Sequence, residues 1–292
     1  MHENQVLAVD HHHAHHFDTH EQEFSSCKQG MWLFLLQEVL FFSALFVAFF
    51  IFRHLYFETF HKASTFLDWK MGGLNTIILI CSSVTMARAV TSAQLGYQKA
   101  VIRNLCLTFI LAGGFCVVKY FEYTHKFHIG LLPGGFFSKP DALLPLILIS
   151  LFSFSALLML FYVVRPQGRF NFKSPALLLT LVFCATAVFF IFQYKSFVAA
   201  GGTIDPHHLE GAAELLKEFP KIPIFFSIYF VMTGLHGLHV VLGMVAIAWL
   251  ISRAEKKEFG PNYYTPVEMV GLYWHFVDLV WIYLFPLLYL VG

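Results

Sequence analysis

The chain has 292 residues, 58% of them hydrophobic, 18% aromatic and only 13% charged, with a formal charge of +1. A soluble domain is roughly half apolar and about a quarter charged, and a water-soluble core of this length cannot hide thirty-five phenylalanines. The balance excludes a soluble globular enzyme and, with no basic run, a nucleic-acid partner; a polytopic membrane protein remains.

Residues 1–29 read as a polar N-terminal tail holding His2, His11, His12, His13, His15, His16 and His20. Such a tract catches Zn²⁺ or Cu²⁺ loosely, and a solvated tail is the plainer reading. It lacks the basic-then-apolar pattern of a cleaved signal peptide, so the first apolar run is expected to stay as a span. One crossing needs about 20 mostly apolar residues. By that rule a single transmembrane domain, 30–292, contains seven spans, at 31–53, 72–93, 101–124, 142–164, 176–198, 223–252 and 267–291. Breakers lie between them: Gly72-Gly73, Gly96, Pro133-Gly134-Gly135, Pro166 to Gly168, Gly201-Gly202, Pro220 to Pro223 and Gly260-Pro261.

Long runs without alternation exclude a barrel. The expected fold is all-α, a polytopic transmembrane helix bundle of about seven spans. Basic residues lean towards the side of the N-terminus, among them Lys28, Arg88, Lys99, Arg103, Arg253 and Lys256, which predicts an N-in/C-out orientation. HHLEGAAELLKEF, within 199–222, has the spacing of a short surface helix. Gly113-Gly114, Gly234, Gly237 and Gly243 reduce helix bulk and predict close helix packing. Cys27, Cys81, Cys106, Cys116 and Cys184 stand singly, with no disulfide or zinc spacing.

Polar residues inside the spans carry the functional reading. The first span opens with GMWLFLLQEVLFF (30–42), which holds Glu38 at a depth where an ionised side chain costs roughly 2.5–3.5 kcal/mol on insertion scales. In the third, Glu122 follows Lys119 by three residues on one helix face, which suits either a structural ion pair or a proton-handling carboxylate. In the sixth, TGLHGLH places His236 and His239 three apart. They read as a metal pair, as haem ligands or, preferably, as imidazoles bonded to polar groups of adjacent helices. In the last, YWHFVDLVW sets His275 and Asp278 three apart, expected as a hydrogen-bonded pair that locks this helix into the bundle. The chain has no phosphate loop, HExxH, CxxCH or Rossmann fingerprint. The residues alone point to a partner subunit, or to a transporter whose site they do not name.

GMWLFLLQEVLFF, LNTIILICSSVTMA (74–87), FEY (121–123), FFSIYFVMTGLHGLHVVLGM (225–244) and GLYWHFVDLVWIYLFPLLYLVG (271–292) resemble, in order and spacing, subunit III of haem–copper respiratory oxidases. The resemblance implies an accessory, non-redox subunit of a proton-pumping cytochrome c oxidase in aerobic respiration. It would sit in the bacterial cytoplasmic membrane against subunit I, with subunit II and other subunits in the complex. It implies no catalytic residue and no metal in this chain, with haem and copper in the partner subunits and phospholipid bound between helices. The family's carbodiimide-reactive carboxyl falls on Glu38, and the family links this subunit to proton uptake by subunit I and to protection during turnover. Glu122, His236, His239, His275 and Asp278 are read as structural polar residues. Alternatives are the same subunit of a quinol oxidase or nitric oxide reductase, an independent proton-coupled transporter, and a haem-binding anchor. The family's long form has two helices before the QEVLFF helix; here a tail precedes it, as in the five-helix bacterial form. The spans 142–164 and 176–198 are instead inserted between FEY and FFSIYF.

Overall fold

The computed structural model describes residue 17 and residues 19–128 and 217–291. The spans expected at 142–164 and 176–198, most of the surface helix in 199–222, Cys184 and the first sixteen residues lie outside the described residues.

The Thr19 side chain accepts a hydrogen bond from the Gln22 amide at 3.2 Å, and Glu21 and Glu23 occupy the first turn. Both features stabilise a helix N-terminus. Helix α1 (His20–Leu55) therefore starts ahead of the apolar run, and the stretch 20–29, expected as tail, is its polar first turns. Its 36 residues measure ~54 Å at ~1.5 Å per residue, against a hydrocarbon core of ~30 Å, so those turns stand clear of the lipid. Helix α2 (Phe57–Ser64) is short and amphipathic and turns Phe60 and Ala63 inward. Phe60 meets the Phe49 ring at 5.6 Å and the Phe225 ring at 5.2 Å, both edge-on.

Asp68 caps helix α3 (Trp69–Gln94) by accepting from the Lys70 amide at 2.9 Å. Gly72-Gly73, expected as a break, lies inside α3. A Cβ on Gly72 would come within 2.8 Å of the Phe285 ring, so this glycine admits a neighbour. Gly96 does break the chain: its φ of +78° closes the turn into helix α4 (Gln98–His128). Helix α5 (Ile222–Glu255) and helix α6 (Thr265–Phe285) follow. At Pro286 the backbone widens into a π-helical turn, Pro286–Leu290.

Five of these helices are long and apolar enough to cross a membrane: Glu21–Leu55, Trp69–Gln94, Gln98–Lys126, Ile222–Glu255 and Thr265–Leu290. Among the described residues no β-strand forms, and Gly260 and Tyr263 make one isolated bridge in the α5–α6 turn. Lipid gives little hydrophobic drive to helix association, so hydrogen bonds and small residues must supply it. Helices α3 and α4 are joined by Thr85 to Thr108 (2.8 Å) and Asn104 to Ser92 (3.4 Å). Trp274 and Trp281 of α6 donate their indole N–H groups to Ser82 and Thr76 of α3, each at 3.1 Å. Helix α1 runs parallel to α6 and is pinned at both ends. Lys28 pairs with Glu268 at 3.1 Å, and Arg53 donates to the Val291 carbonyl at 2.6 Å.

Of the glycines expected to admit close packing, Gly243 does so most tightly: a Cβ there would lie 2.7 Å from the Trp274 ring. Gly234 and Gly237 have nothing within 4 Å of that point. Gly243→Ala is therefore expected to cost about 1–3 kcal/mol by overpacking, read as a lowered thermal midpoint in detergent. Gly234→Ala is expected to leave the midpoint unchanged; equal midpoints for both would show that α5 and α6 can slide apart freely.

Candidate functional site

Glu38 and His239 lie close to the midpoints of α1 and α5. Glu38 Oε2 stands 3.0 Å from His239 Nε2, and His239 Nδ1 stands 2.8 Å from the Leu235 carbonyl oxygen one turn back. A carbonyl only accepts, so Nδ1 carries a proton and the Glu38 bond falls to Nε2. Two arrangements satisfy that bond. Either a neutral Glu38 donates to a bare Nε2, or a protonated Nε2 donates to a carboxylate. In both cases one proton is shared between acid and base.

The pair is mostly enclosed, with side chains 15% and 11% exposed for Glu38 and His239. The Phe42 ring meets His239 edge-on at 5.1 Å, with Phe41 at 6.5 Å. From α6, the Tyr273 hydroxyl donates to the His239 carbonyl at 2.9 Å, which fixes the turn that carries the imidazole.

A second cluster lies nearer the α2 end of the bundle. Glu122 is bonded by Lys119 at 2.9 Å, by Lys126 at 3.5 Å and by the Tyr229 hydroxyl at 2.7 Å. Tyr289 also donates to Glu122 and accepts from Lys119 at 2.8 Å. The π-helical turn after Pro286 brings Tyr289 here. All three charged side chains are under one-tenth exposed, and the Lys119 ammonium sits 4.7 Å from the Trp281 ring centroid. The geometry shows the Glu122–Lys119 ion pair and adds Lys126, a cation that the sequence reading did not pair with Glu122. Tyr229 and Tyr289 were missed as well, because a tyrosine near a span end reads as an interfacial anchor.

His275 and Asp278 are expected to bond each other, but His275 instead meets Ser83 of α3. The Ser83 hydroxyl is 2.6 Å from His275 Nδ1, and the Asp278 Oδ1 is buried with no hydrogen-bond partner among the described residues. The link therefore ties α6 to α3 rather than closing within α6. His236, expected to bond a polar group of a neighbouring helix, bonds none among the described residues. It is completely buried, its ring is packed against Phe115 at 5.5 Å and Trp281 at 5.3 Å, and both nitrogens lack hydrogen-bond partners among the described residues.

His236 and His239 thus face different neighbours and do not converge as a ligand pair. Among the described residues no three or more His, Cys, Asp and Glu side chains gather as metal ligands. A haem or copper site does not fit these side chains, since His239 is committed at both nitrogens and aromatic rings wall in His236.

Five apolar helices zipped by buried hydrogen bonds make this a multi-pass membrane protein of the helical-bundle class. The family profile described as Cytochrome c oxidase subunit III matches residues 8–133 and 221–292, and the chain belongs to that family. The match breaks between those segments, where the two additional spans are expected. The chain is 35% identical over 96 residues to a probable cytochrome c oxidase subunit 3 of Nocardia farcinica, covering 33% of this chain and 45% of that one. It is 44% identical over 69 residues to the cytochrome c oxidase subunit 3 of Thermostichus vulcanus, 23% and 34% of the two chains. With that of Gallus gallus the identity is 39% over 69 residues, 24% and 26% of the two chains. The chain thus aligns with less than half the length of these relatives.

Proposed function

We propose that this chain is the accessory subunit III of a proton-pumping haem–copper oxidase that passes electrons from cytochrome c to oxygen. In this reading it spans a bacterial cytoplasmic membrane about seven times with its N-terminus inside. It packs against subunit I, which with subunit II holds the haem and copper, and binds phospholipid between its helices. It performs no redox step. Its own contribution is to stabilise subunit I and to sustain proton uptake through the carboxyl of Glu38.

The observation that carries the reading is the Glu38–His239 pair. Both partners come from blocks that define the family, QEVLFF and HGLHV, and they meet from helices far apart in the chain at a separation of 3.0 Å. An acid and a base sharing one proton near mid-membrane suit a group that exchanges protons without joining a catalytic centre. Purification in mild detergent tests the assignment. The expected result is co-purification with haem- and copper-containing subunits that oxidise reduced cytochrome c. A chain that purifies alone and, when reconstituted, drives proton-coupled solute uptake would instead be a transporter.

A further inference from the structure

His275 differs from the other intramembrane histidines in being half-buried rather than enclosed. Helix α6 is covered on one flank by α3, through the Trp274–Ser82 and Trp281–Thr76 bonds. On the other flank it is covered by α1, through ring contacts of Phe276 with Phe42 at 6.2 Å and of Tyr283 with Phe46 at 5.1 Å. Between those flanks it turns outward a strip that carries His275, Leu279 and Ile282. Ile80, one turn from Ser83 on α3, borders the strip; it, Leu279 and Ile282 are all exposed.

The depth of His275 decides what can cover it. Thr265–Leu290 holds 26 residues, or ~39 Å of helix against a hydrocarbon core of ~30 Å. His275 therefore stands about 15 Å from Thr265, and so about 10 Å inside the apolar layer. Ser83 is likewise close to the middle of α3 (Trp69–Gln94). Only long side chains snorkel to the headgroups, and an imidazole at this depth does not reach them. Its Nδ1 is 2.6 Å from the Ser83 hydroxyl, and no hydrogen bond reaches its Nε2 among the described residues. One turn along, the buried Oδ1 of Asp278 is unpaired among them as well. Lipid tails offer neither donor nor acceptor, so an Nε2 turned to lipid stays unsatisfied. Polar residues at such depth almost always face protein or a water-filled cavity.

We propose that this strip of α6 receives a transmembrane helix of a partner subunit, which sets a hydroxyl or carboxamide side chain against His275 Nε2. The tautomer gives the direction. If Ser83 donates to Nδ1, then Nε2 carries the proton and donates outward; if Nδ1 donates, then Nε2 accepts. Serine, threonine, asparagine and glutamine answer either case. The apolar rim of Leu279, Ile282 and Ile80 sheathes the bond from lipid. The chain's own residues 129–216 join α4 to α5, and α5 packs on the opposite side of α6, where Tyr273 and Trp274 lie against Gly243. That favours a separate subunit as the occupant. The inference rests on the subunit reading above and adds to it which face is the interface and which side chain anchors it.

The test uses the whole complex, with Leu279→p-benzoyl-phenylalanine in this chain, photolysed in its membrane before purification. The expected product joins position 279 to a membrane-spanning peptide of a partner subunit that contains Ser, Thr, Asn or Gln, identified by mass spectrometry. In the unlabelled complex, His275→Leu is expected to shorten the half-life of subunit association in detergent about fivefold, the size of one lost hydrogen bond between membrane helices. His275→Gln, which keeps a donor and an acceptor, is expected to retain most of it. A label that reaches only lipid, a second copy of this chain or its own residues 129–216, while other subunits still co-purify, overturns this inference and leaves the subunit reading standing. Equal half-lives for the native and His275→Leu complexes overturn it too, whereas a chain with no co-purifying subunit overturns the subunit reading itself. Should the leucine variant fail to fold, the crosslink from position 279 still decides.

Discussion

Replacing Glu122 by Leu is expected to cost about 3–5 kcal/mol, because it leaves two buried ammonium groups without their anion. Lys119 and Lys126 lie 2.9 Å and 3.5 Å from that carboxylate, with side chains 9% and 3% exposed. Removing the carboxylate deprives both lysines of charge compensation and frees the Tyr229 and Tyr289 hydroxyls. Three helices and the C-terminal turn meet at this point, so the loss falls on the packing of α4, α5 and the π-helical segment together. The measurements are the yield of folded protein and its thermal midpoint in detergent. The triple variant Glu122→Leu, Lys119→Met, Lys126→Met separates charge from shape. Replacing a whole buried ionic group by apolar residues is often neutral or stabilising, so it is expected to recover most of the midpoint. A single Glu122→Leu variant that melts like the native protein would mean that the cluster carries no such charge.

The second large effect is chemical. Glu38→Gln is expected to abolish carbodiimide labelling of the chain while leaving assembly and initial oxidase turnover intact. The amide still donates to His239 Nε2, so the hydrogen bond survives at a cost near 1 kcal/mol or less. His239→Leu is expected to act in the opposite sense. Glu38 then has no base to share its proton with, so the acid that the carbodiimide attacks is more available and labelling becomes faster. Both variants are expected to lose activity sooner during sustained turnover. Immediate loss of oxygen reduction in Glu38→Gln would contradict an accessory role.

Much of this architecture is legible in the residues, because membrane crossing depends on length and apolarity. The five described helices cover the spans expected at 31–53, 72–93, 101–124, 223–252 and 267–291, with longer ends set by Thr19 and Asp68. Local rules failed where a neighbour decided the outcome. Gly72 reads as a breaker until the Phe285 ring is seen lying on it. Helix α2 is too short for a span, and its amphipathic pattern gains meaning only once Phe225 is there to meet Phe60.

The site was half visible. An isolated carboxylate in QEVLFF marks Glu38 without any alignment, because so few residues of that kind survive in lipid. Its partner is some two hundred positions away on α5, a helix apolar on every face, so sequence periodicity gives His239 no direction. The same absence of pattern made His236 and His239 look alike. A separation of three residues turns them about 60° apart on a helix of ~3.6 residues per turn, enough for one to meet α1 and the other α4 and α6. Lys126 and Tyr289 escaped because each lies at a span end, where basic and aromatic residues are ordinary.

The depth of Glu38 also has an electrical meaning. A full crossing of the membrane by one charge is worth about 2.3 kcal/mol per 100 mV. With its polar first turns outside the lipid, α1 places Glu38 about 10 Å into the apolar layer, so a proton reaching it from that side covers roughly a third of that drop, or about 0.8 kcal/mol per 100 mV. Energising the membrane then acts on a proton held there about as much as moving the pH by roughly half a unit. In the oxidase proposed above, a residue outside the redox machinery would in this way register the voltage that the machinery generates.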